Sequence, residues 1–175
     1  MTAVSETPKN ANFLSPLNFS FSIKRAPTVN FFVQAATVPS ITLPAAEVPT
    51  PFVTIPKYGD HLEFEPLEIT FKIDEDLLNY GELHEWMRRL APPTSRWPYN
   101  RLHDSPPMAD AGVTSDVSLQ VLNGAKMPNF EFIFHDAWPT QLSGFHFDVT
   151  ADDVHFVSAS ATFRYVYFDI QPLSG

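Results

Sequence analysis

Six histidines are the residues of this sequence best suited to acid–base or metal chemistry. They are His61, His84, His103, His135, His146 and His155. None of them has the HExxH, HxH or Cys-His spacing that binds metals. Two histidines precede an aspartate directly in the chain, but neighbouring residues of a strand point to opposite faces, so neither pair is a natural acid–base dyad. The pattern therefore predicts histidines at the surface or at an interface.

Motifs for nucleophilic catalysis, phosphate binding and calcium binding are also missing from the sequence. No serine lies in a GxSxG turn, and no glycine-rich loop is present to hold a phosphate. The acidic runs at 74–76 and 152–153 lack the spacing of a calcium loop, and we interpret them as a helix start and a turn. We therefore predict no catalytic, cofactor-binding or metal-binding residue, and a protein that is not an enzyme.

The composition indicates one globular domain that does not bind nucleic acid tightly. The 175 residues are 44% hydrophobic and 18% charged, with no cysteine, so disulfides and thiolate metal sites are excluded. Seventeen prolines argue against a helical bundle. The net charge of −9 argues against tight phosphate binding. We expect neither a membrane span nor a signal peptide, because no long apolar run exists and the first 12 residues are polar.

Alternating apolar residues predict a mainly β fold. Phe19, Phe21 and Ile23 alternate with polar residues, and a second alternating run at 29–35 predicts that the two form a hairpin. Further strands are predicted at 61–65, 67–73, 117–122, 130–134, 145–149 and 156–170, with a connection at 135–144. About seven or eight strands and one helix predict an antiparallel β-sandwich or barrel with a helix packed on it.

The helix is predicted at 76–90. Its packing face is an apolar stripe at spacing i, i+3, i+4 and i+7, made of Leu83, Trp86, Met87 and Leu90. Asn79, followed three residues later by Glu82, predicts a capping box at the N-terminal end. Two prolines at 92–93 end the helix.

We interpret residues 1–16 as a flexible N-terminal arm and residues 17–175 as a single domain. Within that domain, the segment 38–56 contains five prolines, which predict an extended segment rather than a central strand. Its apolar residues are too many for a free linker, so they should dock on this domain or on a neighbour. Phe52 and Ile55 are our candidates for such an assembly contact.

A long loop is predicted at 94–116. It carries Trp97 and Tyr99, and exposed aromatic residues of this size usually mark a contact. Loops of this length are uncommon unless they are functional or disordered. We therefore add Trp97 and Tyr99 to the candidate assembly residues.

The order of these features resembles the tail tube family of contractile-tailed bacteriophages, which includes the inner tubes of type VI secretion systems. The matching stretches are FSFSI at 19–23, FFVQAA at 31–36, TVPSI at 37–41, LEITFKIDED at 67–76, the helix with Trp86, FIFHDAWP at 132–139 and the closing strand at 161–170. The resemblance covers roughly residues 17–170.

This resemblance implies a virion structural protein. Six subunits would form a ring with one continuous inner β-barrel, and rings would stack into a tube through which DNA passes without specific binding. The implied partners are further copies, sheath, baseplate and tape-measure proteins, with no membrane. The implied location is the tail of a virion assembled in the host cytoplasm. The proline-rich segment 38–56 and the loop 94–116 are larger than expected of a plain tube subunit. They favour a specialised position in the tail, at the tube end or in a tube-like baseplate ring.

Two other functions remain open from the sequence. One is another structural role in a virion, as a neck, tail-terminator or decoration protein. The other is a small-ligand-binding β-barrel, because β-sandwiches host many functions.

Overall fold

The computed structural model describes residues 13–93, 113–148 and 156–173, which contain eleven strands and two helices. The strands are β1 (Phe19–Ile23), β2 (Val33–Thr37), β3 (Ile41–Thr42), β4 (Ala45–Pro49), β5 (Thr54–Tyr58), β6 (Glu63–Phe64), β7 (Leu67–Lys72), β8 (Ser115–Leu122), β9 (Pro128–Leu142), β10 (Ser158–Arg164) and β11 (Tyr167–Pro172). The helices are α1 (Pro27–Phe32) and α2 (Leu78–Leu90).

Strand β9 belongs to two antiparallel sheets along its 15 residues. The front sheet has the order β1-β8-β9-β11, and the back sheet has the order β2-β7-β10-β9. The first part of β9, from Phe130 to His135, pairs with β11, and the last part, from Trp138 to Leu142, pairs with β10. Between them Asp136 has a left-handed backbone with φ 53°. A bulge of this kind bends a strand.

Both sheets contribute alternate side chains to one hydrophobic core. The largest fully buried apolar side chains are Phe71, Phe134, Phe163, Ile23, Leu67, Ile69, Leu83, Val29 and Val117. They come from the front sheet, the back sheet and both helices. The prediction of a mainly β antiparallel fold with a packed helix is therefore confirmed, although the described chain has a second, shorter helix.

Helix α2 packs its apolar stripe on this core. Leu83 and Trp86 are buried, and Met87 and Leu90 are half-buried. The Trp86 indole N–H donates to the carbonyl of Val113 at 3.1 Å, and its ring lies 6.2 Å from that of Phe163. These contacts join the helix to β10 of the back sheet and to the segment just before β8.

The predicted capping box of α2 is wrong. The residue before the helix is Leu77 in a left-handed conformation, without a side-chain cap. Asn79 is instead fully buried and donates its amide to the carbonyl of Lys72 at 2.7 Å. Glu82 accepts bonds from the backbone N–H (3.2 Å) and the hydroxyl (2.5 Å) of Thr28. Thr28 thus takes Glu82 away from the helix end, whereas the Asn79 side-chain oxygen accepts from the Tyr80 N–H of the first turn at 2.7 Å.

The predicted hairpin between 19–23 and 29–35 is also wrong. Helix α1 occupies the first part of the second segment, with Pro27 in its first turn, a favourable position for proline. β1 pairs with β8 instead. The Asn30 side chain accepts from the N–H of Ile23 at 2.7 Å and donates to its carbonyl at 3.2 Å, which fixes α1 against the end of β1.

Three strand boundaries in the second half differ from the prediction. The expected connection at 135–144 is strand as far as Leu142, because the bulge at Asp136 lets β9 continue. The expected single strand at 156–170 is divided between β10 and β11. The segment 143–148 forms no strand.

The proline-rich segment forms a small hairpin outside the two main sheets. β4 pairs with β5 from Ala45↔Tyr58 to Pro49↔Thr54, and all ten residues of the two strands are exposed. At its root, the Gly59 N–H donates to the carbonyl of Pro44 at 2.7 Å. The prolines predicted an extended segment rather than a central strand, and β4 and β5 pair only with each other.

We expect Trp86→Ala to lower the free energy of unfolding by about 3–5 kcal/mol, the usual cost of a large-to-small change in a core. Trp86→Phe keeps a ring but loses the bond to Val113, so its cost should be smaller. Chemical denaturation of both variants measures the difference. Equal stability of Trp86→Ala and the parent protein would contradict the packing of α2.

We expect Gly59→Ala to disorder the β4–β5 hairpin without unfolding the core. A Cβ at this position would lie 2.6 Å from the Pro44 carbonyl oxygen, so the root must open. Gly124→Ala is the matched control, because a Cβ there meets nothing within 4 Å. Amide hydrogen exchange should increase across β4 and β5 in Gly59→Ala alone. Unchanged exchange in that hairpin would disprove the constraint.

Candidate assembly surfaces

The described residues hold no cluster of three or more His, Asp or Glu side chains suited to a metal ion. His135 lies on the outward face of the front sheet, between Asp169 (Nε2 to Oδ2, 3.3 Å) and Asp116 (Nδ1 to Oδ1, 3.9 Å). It also stacks on Tyr167, with ring centroids 4.5 Å apart. Asp136 faces elsewhere and accepts from the Thr114 hydroxyl at 2.8 Å. This arrangement is a surface charge cluster without a nucleophile.

Two side chains near the hairpin and α2 have shifted pKa values because of their burial. Burial raises the pKa of Tyr165 to about 12, so its hydroxyl stays protonated and donates to the Glu65 carbonyl at 2.8 Å. Burial, with a smaller effect of Arg89, lowers the pKa of Arg25. Arg25 donates to the Thr114 carbonyl at 3.2 Å and lies 5.7 Å above the Trp86 ring. Tyr165 thereby holds Glu65 in place, and Arg25 holds Thr114 beside Trp86 of α2.

The first free edge of the front sheet is β1. The Leu122 N–H donates to the Asn18 carbonyl at 3.0 Å, and backbone groups alternate in direction along an antiparallel strand. The N–H and C=O groups of Phe19, Phe21 and Ile23 therefore point away from β8. Asn30 satisfies those of Ile23. Phe19 and Phe21 are left with backbone groups that no described residue bonds.

The second free edge is β11. The Leu173 N–H donates to the Asn129 carbonyl at 2.9 Å, so the backbone groups of Phe168, Ile170 and Pro172 point away from β9. Proline has no N–H, so Pro172 offers only its carbonyl. The described chain provides no partner for the edge-directed groups of Phe168 and Ile170.

These two edges match each other in direction and face. The front sheet has four antiparallel strands, so β1 and β11 run in opposite directions and can pair antiparallel between copies. We call a residue edge-directed when its backbone N–H and C=O groups point out to the free edge of the sheet. The edge-directed residues of both strands also turn their side chains inward. A ladder that pairs Phe19 with Ile170 and Phe21 with Phe168 would therefore continue the apolar face and the polar face together.

The outward face of the front sheet is polar, with three carboxylates, and Lys24 lies beside Ser22 and Asp116 at one end of it. Its side chains are Ser20, Ser22, Asp116, Ser118, Gln120, Glu131, Ile133, His135, Tyr167, Asp169 and Gln171. Pairing of β1 with β11 between copies would extend this face as one continuous polar wall.

The β4–β5 hairpin presents an apolar tip. Phe52 is 98% exposed, Val53 is 61% exposed and Ile55 is 45% exposed. The Thr50 hydroxyl donates to the Val53 carbonyl, and the Val53 N–H donates to the Thr50 hydroxyl oxygen at 3.2 Å. The tip is thus both apolar and closed by its own hydrogen bonds.

An apolar pocket of about 570 Å³ lies at the end of the front sheet where β8 turns into β9. Its apolar wall is formed by Val121, Phe130, Phe132 and Ile170, and the segment before β1 closes one side through Phe13 and Leu14. Among the described residues, no ionisable side chain lines it.

The sequence candidates fall into three groups. Phe52 and Ile55 lie on the exposed hairpin. Leu83 and Trp86 of the α2 stripe lie in the core, Leu90 packs against it, and Met87 is half-buried. Trp97 and Tyr99 lie outside the described residues, as do the histidine–aspartate pair at 103–104 and residues 1–12 of the arm. Sequence reasoning missed the two sheet edges and the pocket. The alternation of apolar and polar residues in the sequence identified which side chains face inward. It did not identify which strands have an edge without a partner.

Comparison with known proteins shows which proteins this chain is similar to. No protein-family model matches it. It is 26% identical over 167 residues to the tail tube terminator protein of Enterobacteria phage T4, covering 91% of this chain and 90% of that protein.

Solved structures agree with the fold. A chain of the anti-feeding prophage tube-terminating cap superposes with a TM-score of 0.59 at 13% identity, covering 99% of this chain and 100% of the other. A chain from the sheath/tube terminator structure of the extracellular contractile injection system PVC gives 0.54 at 13% identity, covering 93% and 99%. The resemblance to contractile-tail tube proteins is thereby confirmed: the chain is related in sequence to a phage tail tube terminator and has the fold of the tube proteins of contractile injection systems.

Proposed function

We propose that this chain is a structural subunit that assembles into a ring at the end of a phage tail tube. The observation that carries the proposal is the pair of free edges, β1 and β11, which match in direction and face. Sequence similarity to a tail tube terminator supports a place at the tube end rather than along the repeating tube. A role built on self-assembly needs no catalytic centre.

The ring closes by sheet extension between copies. Phe19 of one copy pairs with Ile170 of the next, and Phe21 pairs with Phe168, so each exposed edge is covered by another strand. This contact is head-to-tail, and a head-to-tail contact produces a closed ring when its rotation closes. Six copies would follow the arrangement of the tube family.

The polar face of the front sheet then lines the bore. Asp116, Glu131 and Asp169 give it an acidic character, in a protein whose net charge is −9. Negative walls repel phosphates, so DNA can pass without being held. Sheath, tape-measure and baseplate proteins are the remaining partners, and the location is the tail of a virion assembled in the host cytoplasm.

We propose that the loop at 94–116 and the N-terminal arm contribute to attachment to neighbouring tail proteins. The aromatic side chains of Trp97 and Tyr99 favour this role, because exposed aromatic residues mark contacts. A neck or decoration role is the alternative within the virion.

The ring predicts a specific disulfide between copies. In the proposed register Ser20 lies opposite Asp169 at a non-hydrogen-bonded position, where Cα atoms are about 4.5 Å apart, within the range of a disulfide. The double variant Ser20→Cys/Asp169→Cys should form a reducible ladder up to the ring size, since the native chain has no cysteine. Light scattering and electron microscopy should show six-fold rings.

Ser22→Cys/Gln171→Cys is the matched control, four residues out of register and roughly 13 Å apart at about 3.3 Å per residue. It should not cross-link. A chain that stays monomeric at high concentration, or that links equally in both variants, contradicts the proposed ring seam.

Replacing residues 96–110 with a short Gly-Ser bridge, or deleting residues 1–14, should leave the domain folded by circular dichroism. Ring stacking or attachment to a neighbouring tail protein should be lost, as judged by electron microscopy. Unfolding of the loop variant would show that Trp97 and Tyr99 belong to the core. Normal assembly of both variants would remove these segments from the attachment surface.

A further inference from the structure

We propose that Asn123 and Gly124 form a self-modifying site, at which the side chain of Asn123 cyclises onto the backbone nitrogen of Gly124. The two residues begin the turn between β8 and β9, and they are the only Asn-Gly pair in the sequence. Asparagine is among the chemically labile residues of proteins. The reaction does not depend on ring formation and goes beyond the assembly role of the chain.

The reaction consumes water alone. The Gly124 nitrogen attacks the Cγ carbon of Asn123 and forms a new C–N bond, while the side-chain amide nitrogen leaves as ammonia and takes the proton that the Gly124 nitrogen gives up. The five-membered imide that results adds one water molecule. Hydrolysis at its side-chain carbonyl yields aspartate, and hydrolysis at its backbone carbonyl yields isoaspartate, whose main chain runs through the former side chain.

The turn holds the Asn123 side chain against the nitrogen that attacks it. Its Oδ1 atom accepts from the Ala125 N–H at 2.9 Å and from the Met127 N–H at 3.0 Å. A bond to the N–H two residues further on folds an asparagine side chain back over the intervening peptide, whose nitrogen belongs to Gly124. Two N–H donors on one oxygen also stabilise the negative charge that develops there during the attack, as in an oxyanion hole.

The attacking nitrogen and the leaving group are both unhindered. Among the described residues, neither the Gly124 N–H nor the side-chain NH₂ of Asn123 finds a hydrogen-bond acceptor. Both residues are exposed, so the released ammonia passes directly into solvent. Glycine also has no Cβ that would shield its backbone nitrogen from the side chain of the preceding residue.

The fold does not require glycine at position 124. A Cβ there would meet nothing within 4 Å, and the backbone of Gly124 lies outside the left-handed region. Lys126 takes the left-handed conformation in this turn instead, with φ 60°. Gly124→Ala should therefore fold normally and differ from the parent protein in the rate of the reaction.

The products change the surface at the rim of the apolar pocket. Asn123 and Gly124 both line this pocket, which has no ionisable side chain among the described residues. The reaction places one carboxylate there in every modified copy. Aspartate keeps an oxygen that can accept from Ala125 and Met127, whereas isoaspartate lengthens the main chain between β8 and β9 and moves the carboxylate away from these donors.

Peptide mapping of the incubated, folded protein tests the site. Trypsin yields a peptide of residues 102–126 in which Asn123 is the only asparagine, and a following peptide of residues 127–164 in which Asn129 is the only one. We expect the first peptide to exchange NH₂ for OH by mass and to separate into aspartate and isoaspartate forms, while the second stays unchanged. A sample digested before incubation gives the background. The rate should rise about tenfold for each unit of pH, because the attacking nitrogen must lose its proton.

Two comparisons decide between a reactive turn and a merely labile sequence. Gly124→Ala should react about tenfold more slowly or less, because its methyl group obstructs the approach of the side chain. The parent protein should react at least as fast folded as it does unfolded in urea. A slower reaction in the folded protein, an equal reaction at Asn129, or an unchanged rate in Gly124→Ala would each overturn the assignment.

Discussion

The hydrogen bonding of β9 on both of its sides is the constraint on which the rest of the fold depends. Its first part holds β8 and β11, and its last part holds β10, so one strand joins the two sheets around a single core. The left-handed backbone of Asp136 lets it change sheets. The Asp136 N–H donates to the Asp116 carboxylate at 3.2 Å, which secures the bulge from β8.

This division leaves the front sheet with four strands and two open edges. An even number of antiparallel strands places oppositely directed strands at the two edges, so identical copies can extend each other's sheets. With an odd number of strands, the two edge strands would run in the same direction, so copies would meet through parallel strands. The pleat of the strands adds a second condition for this pairing. The residues whose backbone groups point to the edge must have their side chains on the same face of the sheet in both strands. The edge-directed residues of β1 and β11 are all inward-facing, so both conditions are met.

The sequence predicted the strands whose burial follows simple alternation, such as β1, β7 and β8. It failed where a tertiary partner overrides the local pattern. Asn79 has the spacing of a cap, but burial turns it to the carbonyl of Lys72. Helix α1 has only six residues and is held by Thr28 and Asn30 through contacts with α2 and β1. The pocket and the sheet edges were not predictable, since they depend on which strands remain unpaired.

The bond of Asn30 to the backbone of Ile23 limits the length of the proposed seam between copies. It occupies the last edge-directed position of β1, and Pro172 removes an N–H from the end of β11. Only two residue pairs, and so about four hydrogen bonds, remain for each seam. A seam this short holds two subunits weakly, whereas a closed ring holds each subunit twice. In the proposed ring, free subunits would therefore face a nucleation barrier, and an existing tube end would lower it by acting as a template.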